Sequence, residues 1–171
     1  MTRFSYIFLI SFLLIFLELL LESLGLRLML FAPFVFYISY VFGAGAGCAA
    51  ALIGGMTLDF CLGHTNPWSA VFLLAVVLFG RLWLRRMGSD SLNLLVIPGA
   101  VLPFLAQFPP TLIQSGLTLD SFVDSLSNAI VMSLLSAFLF PMAILLLDYL
   151  ASLLSLELYS DARERMRNRI G

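Results

Sequence analysis

Five ionisable side chains sit within or beside long apolar runs: Glu18, Asp59, His64, Arg81 and Asp148. A charge held in hydrocarbon needs a partner, a proton or a path to the interface, so each of these is a candidate for function. Their types do not assemble into an enzyme. The chain has one histidine, no nucleophile beside a base, no His-Glu-x-x-His pattern for a metal and no glycine-rich phosphate loop. Acid–base, metal and nucleotide chemistry therefore lack a carrier, and a non-enzymatic protein with no cofactor and no metal is expected.

Asp59 is the hardest of the five to set aside, because it closes the stretch Gly43-Ala-Gly-Ala-Gly-Cys-Ala-Ala-Ala-Leu-Ile-Gly-Gly-Met-Thr-Leu-Asp59. Gly43, Gly47, Ala51, Gly55 and Asp59 recur every fourth residue, which on a helix makes a shallow ridge, and Ala50 and Gly54 widen the groove beside it. In water each such glycine would cost a helix about 1 kcal/mol relative to alanine. In lipid the same small residues let two helices approach backbone to backbone. The ridge is thus expected to be a helix-packing or partner-docking face. Asp59 at its end either carries its proton, hydrogen-bonds across a helix interface, or meets His64 or a partner's helix.

The elements that would hold these residues follow from composition. Of the 171 residues, 61% are hydrophobic and only 11% charged, and the mean hydropathy is +1.06, more apolar content than one water-soluble core requires. An all-α integral membrane protein is predicted, a single compact bundle of about six spans at 4–21, 28–42, 43–62, 68–84, 92–108 and 128–154, with a charged tail over 157–171. The first span starts like a signal peptide, but its apolar run is too long and no small-residue cleavage site follows. Pro33 should bend the second span or limit its first turn, and the aromatic density over residues 34–40 suits a lipid-facing or interfacial surface. Asn66-Pro67 marks a turn, and Trp68 reads as an interfacial anchor. Pro98, Gly99 and Pro103 should kink the fifth span, Pro109-Pro110 should end it, and a loop should follow over residues 111–124. Cys48 and Cys61, thirteen residues apart on one helix, read as buried free thiols.

All nine basic residues are arginine, too few and too local for a nucleic-acid binder. With six spans, Arg3, Arg85, Arg86 and the four tail arginines share one side, opposite Arg27, Glu22, His64, Asp120 and Asp124, so both termini are expected in the cytoplasm. Glu18 and Asp59 then fall in the outer half of the bilayer, with His64 just above them, and Arg81 and Asp148 in the inner half. Arg81 and Asp148 are expected either to pair as an internal brace or to snorkel separately to the interface. Glu18, one turn inside Glu22, is either functional or snorkels outward.

The segment Leu52-Ile-Gly-Gly55-Met-Thr-Leu-Asp59-Phe-Cys-Leu-Gly63, a short turn, and a following span ending Phe79-Gly80-Arg81-Leu82 resemble the MreD family, bacterial inner-membrane proteins of the rod-shape and cell-elongation machinery. The chain departs from that family at Pro33-Phe34, where an acid usually follows the proline. The resemblance implies a multi-pass scaffold in the bacterial cytoplasmic membrane. It would bind an MreC-like bitopic protein and so belong with MreB, RodA and a penicillin-binding transpeptidase in lateral peptidoglycan synthesis, with membrane lipid around it. MreD is also similar in architecture to the substrate-binding subunits of energy-coupling-factor vitamin transporters, which makes such a subunit the alternative. Those subunits usually dock through an Ala-xxx-Ala patch in the first helix, and residues 4–21 contain no alanine.

Overall fold

The computed structural model describes residues 2–25, 28–63, 66–86, 95–115 and 119–153. Among these residues there are six α-helices and no strand: α1 (Thr2–Ser23), α2 (Phe31–Val41), α3 (Ala44–Cys61), α4 (Trp68–Arg86), α5 (Val96–Ser115) and α6 (Leu119–Leu153). His64 and the tail over 157–171 lie outside the described residues.

Three helices contain stretches long and apolar enough to cross a membrane: Ser5–Ser23, Ala44–Cys61 and Phe122–Leu153. Phe31–Val41, Trp68–Trp83 and Val96–Leu105 are apolar but shorter. At 1.5 Å per residue α2 is about 16 Å long, half of a hydrocarbon core of about 30 Å. The architecture is compatible with a helical membrane protein. It is not the expected bundle of six full spans like that of an energy-coupling-factor subunit, because the second helix is too short to cross.

That short helix is the hub. Every residue of α2 is buried, and α1, α3, α4 and α6 all pack against it. The aromatic run expected to face lipid is therefore the centre of the core, with Phe34, Phe36 and Tyr37 fully enclosed. A helix that is apolar all round reads the same whether lipid or protein surrounds it, and here protein does. The Phe36 ring lies edge-on to Phe140 of α6 at 5.3 Å and rests on Gly80 of α4, where a Cβ would come within 2.8 Å of the ring. Gly43, at φ 98°, starts α3 two residues after α2 ends, a reversal that a residue with a Cβ resists. Gly43 thus belongs to the turn rather than to the ridge.

The second half of the chain is a hairpin. α5 packs chiefly on α6 and only lightly on α4, while α6 joins the pair to α2. Gly99 allows α5 to approach closely, since a Cβ there would be 2.6 Å from Cβ of Phe140 and 3.0 Å from the Ser136 carbonyl. The Ser133 hydroxyl donates to the Ala100 carbonyl at 2.6 Å, a second tie between the two helices. α5 continues through Pro109-Pro110 to Ser115, and α6 starts at Leu119, so the expected acidic loop is mostly helix. Asp120 then lies in the first turn of α6, where a carboxylate complements the helix dipole.

Outward faces are apolar as well. Phe8, Phe12 and Phe16 on α1, Ile53, Met56 and Phe60 on α3, and Leu134, Phe138 and Leu146 on α6 are exposed. A water-soluble monomer does not display apolar surface on this scale. Cys61 is exposed and Cys48 half-buried, so only Cys48 approaches the buried thiol expected of both.

Candidate functional site

Several polar side chains inside this apolar fold fasten one helix to another. The most enclosed carboxylate is Asp59, 4% exposed, in the last turn of α3. Its acceptors face the start of α4. The Ser69 N–H donates to both carboxylate oxygens at 3.1 and 3.0 Å, and the Ala70 N–H donates to Oδ2 at 3.2 Å. These are among the N–H groups that a helix N-terminus leaves without an intrahelical acceptor. Pro67, just before the helix, has no side-chain acceptor to offer. Asp59 therefore caps α4 from the neighbouring helix, and its negative charge faces the positive end of the α4 dipole. Ala70 can come so near because Gly55 lies one turn before Asp59. A Cβ at Gly55 would be 2.6 Å from the Ala70 nitrogen and 3.0 Å from its Cβ.

Glu18 repeats the device one hairpin earlier. The Phe31 N–H, at the start of α2, donates to Glu18 Oε2 at 2.8 Å. Leu30 in the cap position of α2 makes no side-chain cap, so the carboxylate again comes from the preceding helix. The Phe31 ring in turn covers Gly54, where a Cβ would overlap the ring. One contact chain, Glu18 to Phe31 to Gly54, links α1, α2 and α3.

At the other end of the core, Tyr37 of α2 donates its hydroxyl to Asp148 Oδ1 at 2.9 Å. Tyr6 of α1 donates to the Leu147 carbonyl at 3.0 Å. The two tyrosines hold consecutive residues of α6, Tyr37 from the hub and Tyr6 from α1. Arg81 is exposed on α4, and among the described residues no ion pair joins it to Asp148. Among the described residues Asp148 is joined to Tyr37 rather than to Arg81, and α2, which carries Tyr37, packs against both α4 and α6.

The ridge of α3 is covered from within the chain. A Cβ on Gly47 would collide with Ser39 of α2, one on Gly54 with Phe31 and one on Gly55 with Ala70 of α4, while Ala51 is fully enclosed. Gly47, Ala51, Gly54, Gly55 and Asp59 thus form an internal packing face with no room for a second protein. Sequence reading missed the tyrosines and the backbone donors of Ser69, Ala70 and Phe31. The tyrosines carried a signal, since a hydroxyl deep in an apolar run needs an acceptor. Among the described residues no group of three or more histidine, cysteine or acidic side chains is arranged to hold a metal ion.

Compared with known proteins, the chain matches no protein-family model, no curated protein and no solved structure.

Proposed function

We propose that the chain is a non-enzymatic membrane scaffold of the MreD type, residing in a bacterial cytoplasmic membrane. The observation that carries this reading is how the MreD-like residues are used. Gly55 and Asp59 fix α3 to α4, and Gly80 seats Phe36 of the hub. Every one of these motif residues serves helix-to-helix geometry, as expected of a protein whose product is a rigid surface. Its partner would be an MreC-like bitopic protein, and through it MreB, RodA and a penicillin-binding transpeptidase of lateral wall synthesis. Because the glycine ridge is internal, the docking face in this reading is the opposite side of α3, where Leu52, Ile53, Met56 and Phe60 are exposed.

Affinity purification from gently solubilised membranes of the protein's own host, with mass spectrometry of proteins and small molecules, tests the reading. Recovery of an MreC-like protein with wall-synthesis enzymes supports it, and a photo-crosslinking residue at Met56 or Phe60 should then trap that partner. Recovery of an ATPase pair with a bound vitamin overturns it in favour of a transporter subunit.

A further inference from the structure

The outward face of α4 is apolar for most of its length and basic at its end. Val71, Ala75, Leu78 and Leu82 are exposed, and so is Arg81, which lies among them one turn after Leu78. Beside this face, at the same depth, Trp83 stacks on Phe79 with ring centres 5.7 Å apart and planes 19° apart. An aromatic pair at the end of an apolar helix marks the level where hydrocarbon gives way to headgroups. Among the described residues no carboxylate pairs with Arg81, and Asp148 receives the Tyr37 hydroxyl.

We propose that this end of α4 is a binding site for the phosphate of an anionic phospholipid, with Arg81 as its ligand. The guanidinium offers a planar fork of donors that matches phosphate oxygens. The exposed Leu78 and Leu82 lie where the acyl chains of the same lipid would descend. The site holds lipid next to the helix that Asp59 caps at its far end, and it does not depend on the identity of any protein partner.

The test uses the full chain in detergent micelles, titrated with a short-chain phosphatidylglycerol, its phosphatidylcholine counterpart, or inorganic phosphate, with the melting temperature as readout. Phosphatidylglycerol should raise the melting temperature by about 2–4 °C, and phosphatidylcholine and phosphate should not. Arg81→Gln should weaken the apparent affinity for phosphatidylglycerol about fivefold, and Arg81→Lys should weaken it less. Arg81→Gln should melt like the wild type without lipid, because the side chain is exposed. Equal stabilisation by both lipids, or an unchanged response in Arg81→Gln, overturns the site. Stabilisation by inorganic phosphate alone overturns the lipid assignment. If micelles mask the shift, native mass spectrometry of retained phosphatidylglycerol gives the same comparison, and equal retention by wild type and Arg81→Gln refutes the proposal.

Discussion

Removing the Asp59 carboxylate should unfasten α3 from α4 by a calculable amount. Two backbone donors, Ser69 N–H and Ala70 N–H, lose their acceptor in Asp59→Ala. A buried donor left unmet costs about 1–3 kcal/mol, and the favourable charge–dipole contribution at the α4 N-terminus, about 0.3–1 kcal/mol, is lost as well. At 4% exposure the site admits little bulk water to replace the carboxylate. A total of about 3 kcal/mol follows, and at about 2–4 °C per kcal/mol for a chain of this size the melting temperature should fall by about 6–12 °C. Asp59→Asn keeps one oxygen acceptor of the same reach but loses the charge, so a fall of about a third of that is expected. Thr57→Ala is the control: its hydroxyl bonds to the carbonyl of Ile53 in its own helix on an exposed face, and its effect should stay within about 0.5 kcal/mol. Thermal unfolding of the purified variants in one detergent, followed by helical circular dichroism, gives all three numbers. Amide hydrogen exchange at Ser69 and Ala70 should accelerate in the alanine variant alone. If Asp59→Ala melts within about 1 °C of the wild type, the carboxylate is not the cap that its geometry describes.

Gly55→Ala should destabilise by about 1–3 kcal/mol through overpacking against the Ala70 backbone. Because it acts on the same Ala70 N–H as Asp59, the double variant with Asp59→Ala should cost less than the two singles added together. Tyr37→Phe should lower stability by about 1–3 kcal/mol, the range for a bond to an ionisable partner, and Tyr6→Phe, which loses a bond to a carbonyl, by about 1 kcal/mol. A double-mutant cycle of Tyr37→Phe with Asp148→Asn should return a coupling above about 0.5 kcal/mol, whereas a cycle pairing Arg81→Gln with Asp148→Asn should return none. Glu18→Gln should be milder than Glu18→Ala, as an amide oxygen can still receive the Phe31 N–H; equal losses in the two would show that the contact is incidental.

The helices themselves were legible in the residues, because apolar runs separated by Gly, Asn-Pro and short polar breaks leave few other choices in a chain this hydrophobic. Gly47, Ala51 and Gly55 were legible as a close-packing row, since their spacing alone puts them on one face. What covers that row was not, because periodicity names a face and never its neighbour. The burial of α2 was illegible for a sharper reason. Its aromatic density fits a core and a lipid boundary equally well, and only its length, 11 residues, argues that it cannot span and so must be enclosed. Arg81 and Asp148 shared a predicted depth, but depth does not fix azimuth, and α2 packs against both of their helices. The proline pair at 109–110 was read as a stop, although proline removes only its own donor and the ring's clash can be absorbed by a bend.

The partner of Asp59 was, by contrast, within reach of the residues. α2 and α4 start after Leu30 and Pro67 respectively, neither of which carries a side-chain acceptor. Each start follows an apolar helix that carries a carboxylate within its last two turns, Glu18 or Asp59. Helix N-termini in apolar surroundings have no water to receive their free N–H groups. An acid near the end of the preceding helix is then the nearest acceptor, and a tight return places it there. The same argument covers both hairpins, with acid and donor 13 and 10 positions apart in sequence. It makes these two acids parts of the fold. It also assigns them a common failure: losing either should free the start of the helix that follows, α2 in one case and α4 in the other, without disturbing the Tyr37–Asp148 contact at the opposite end of the core.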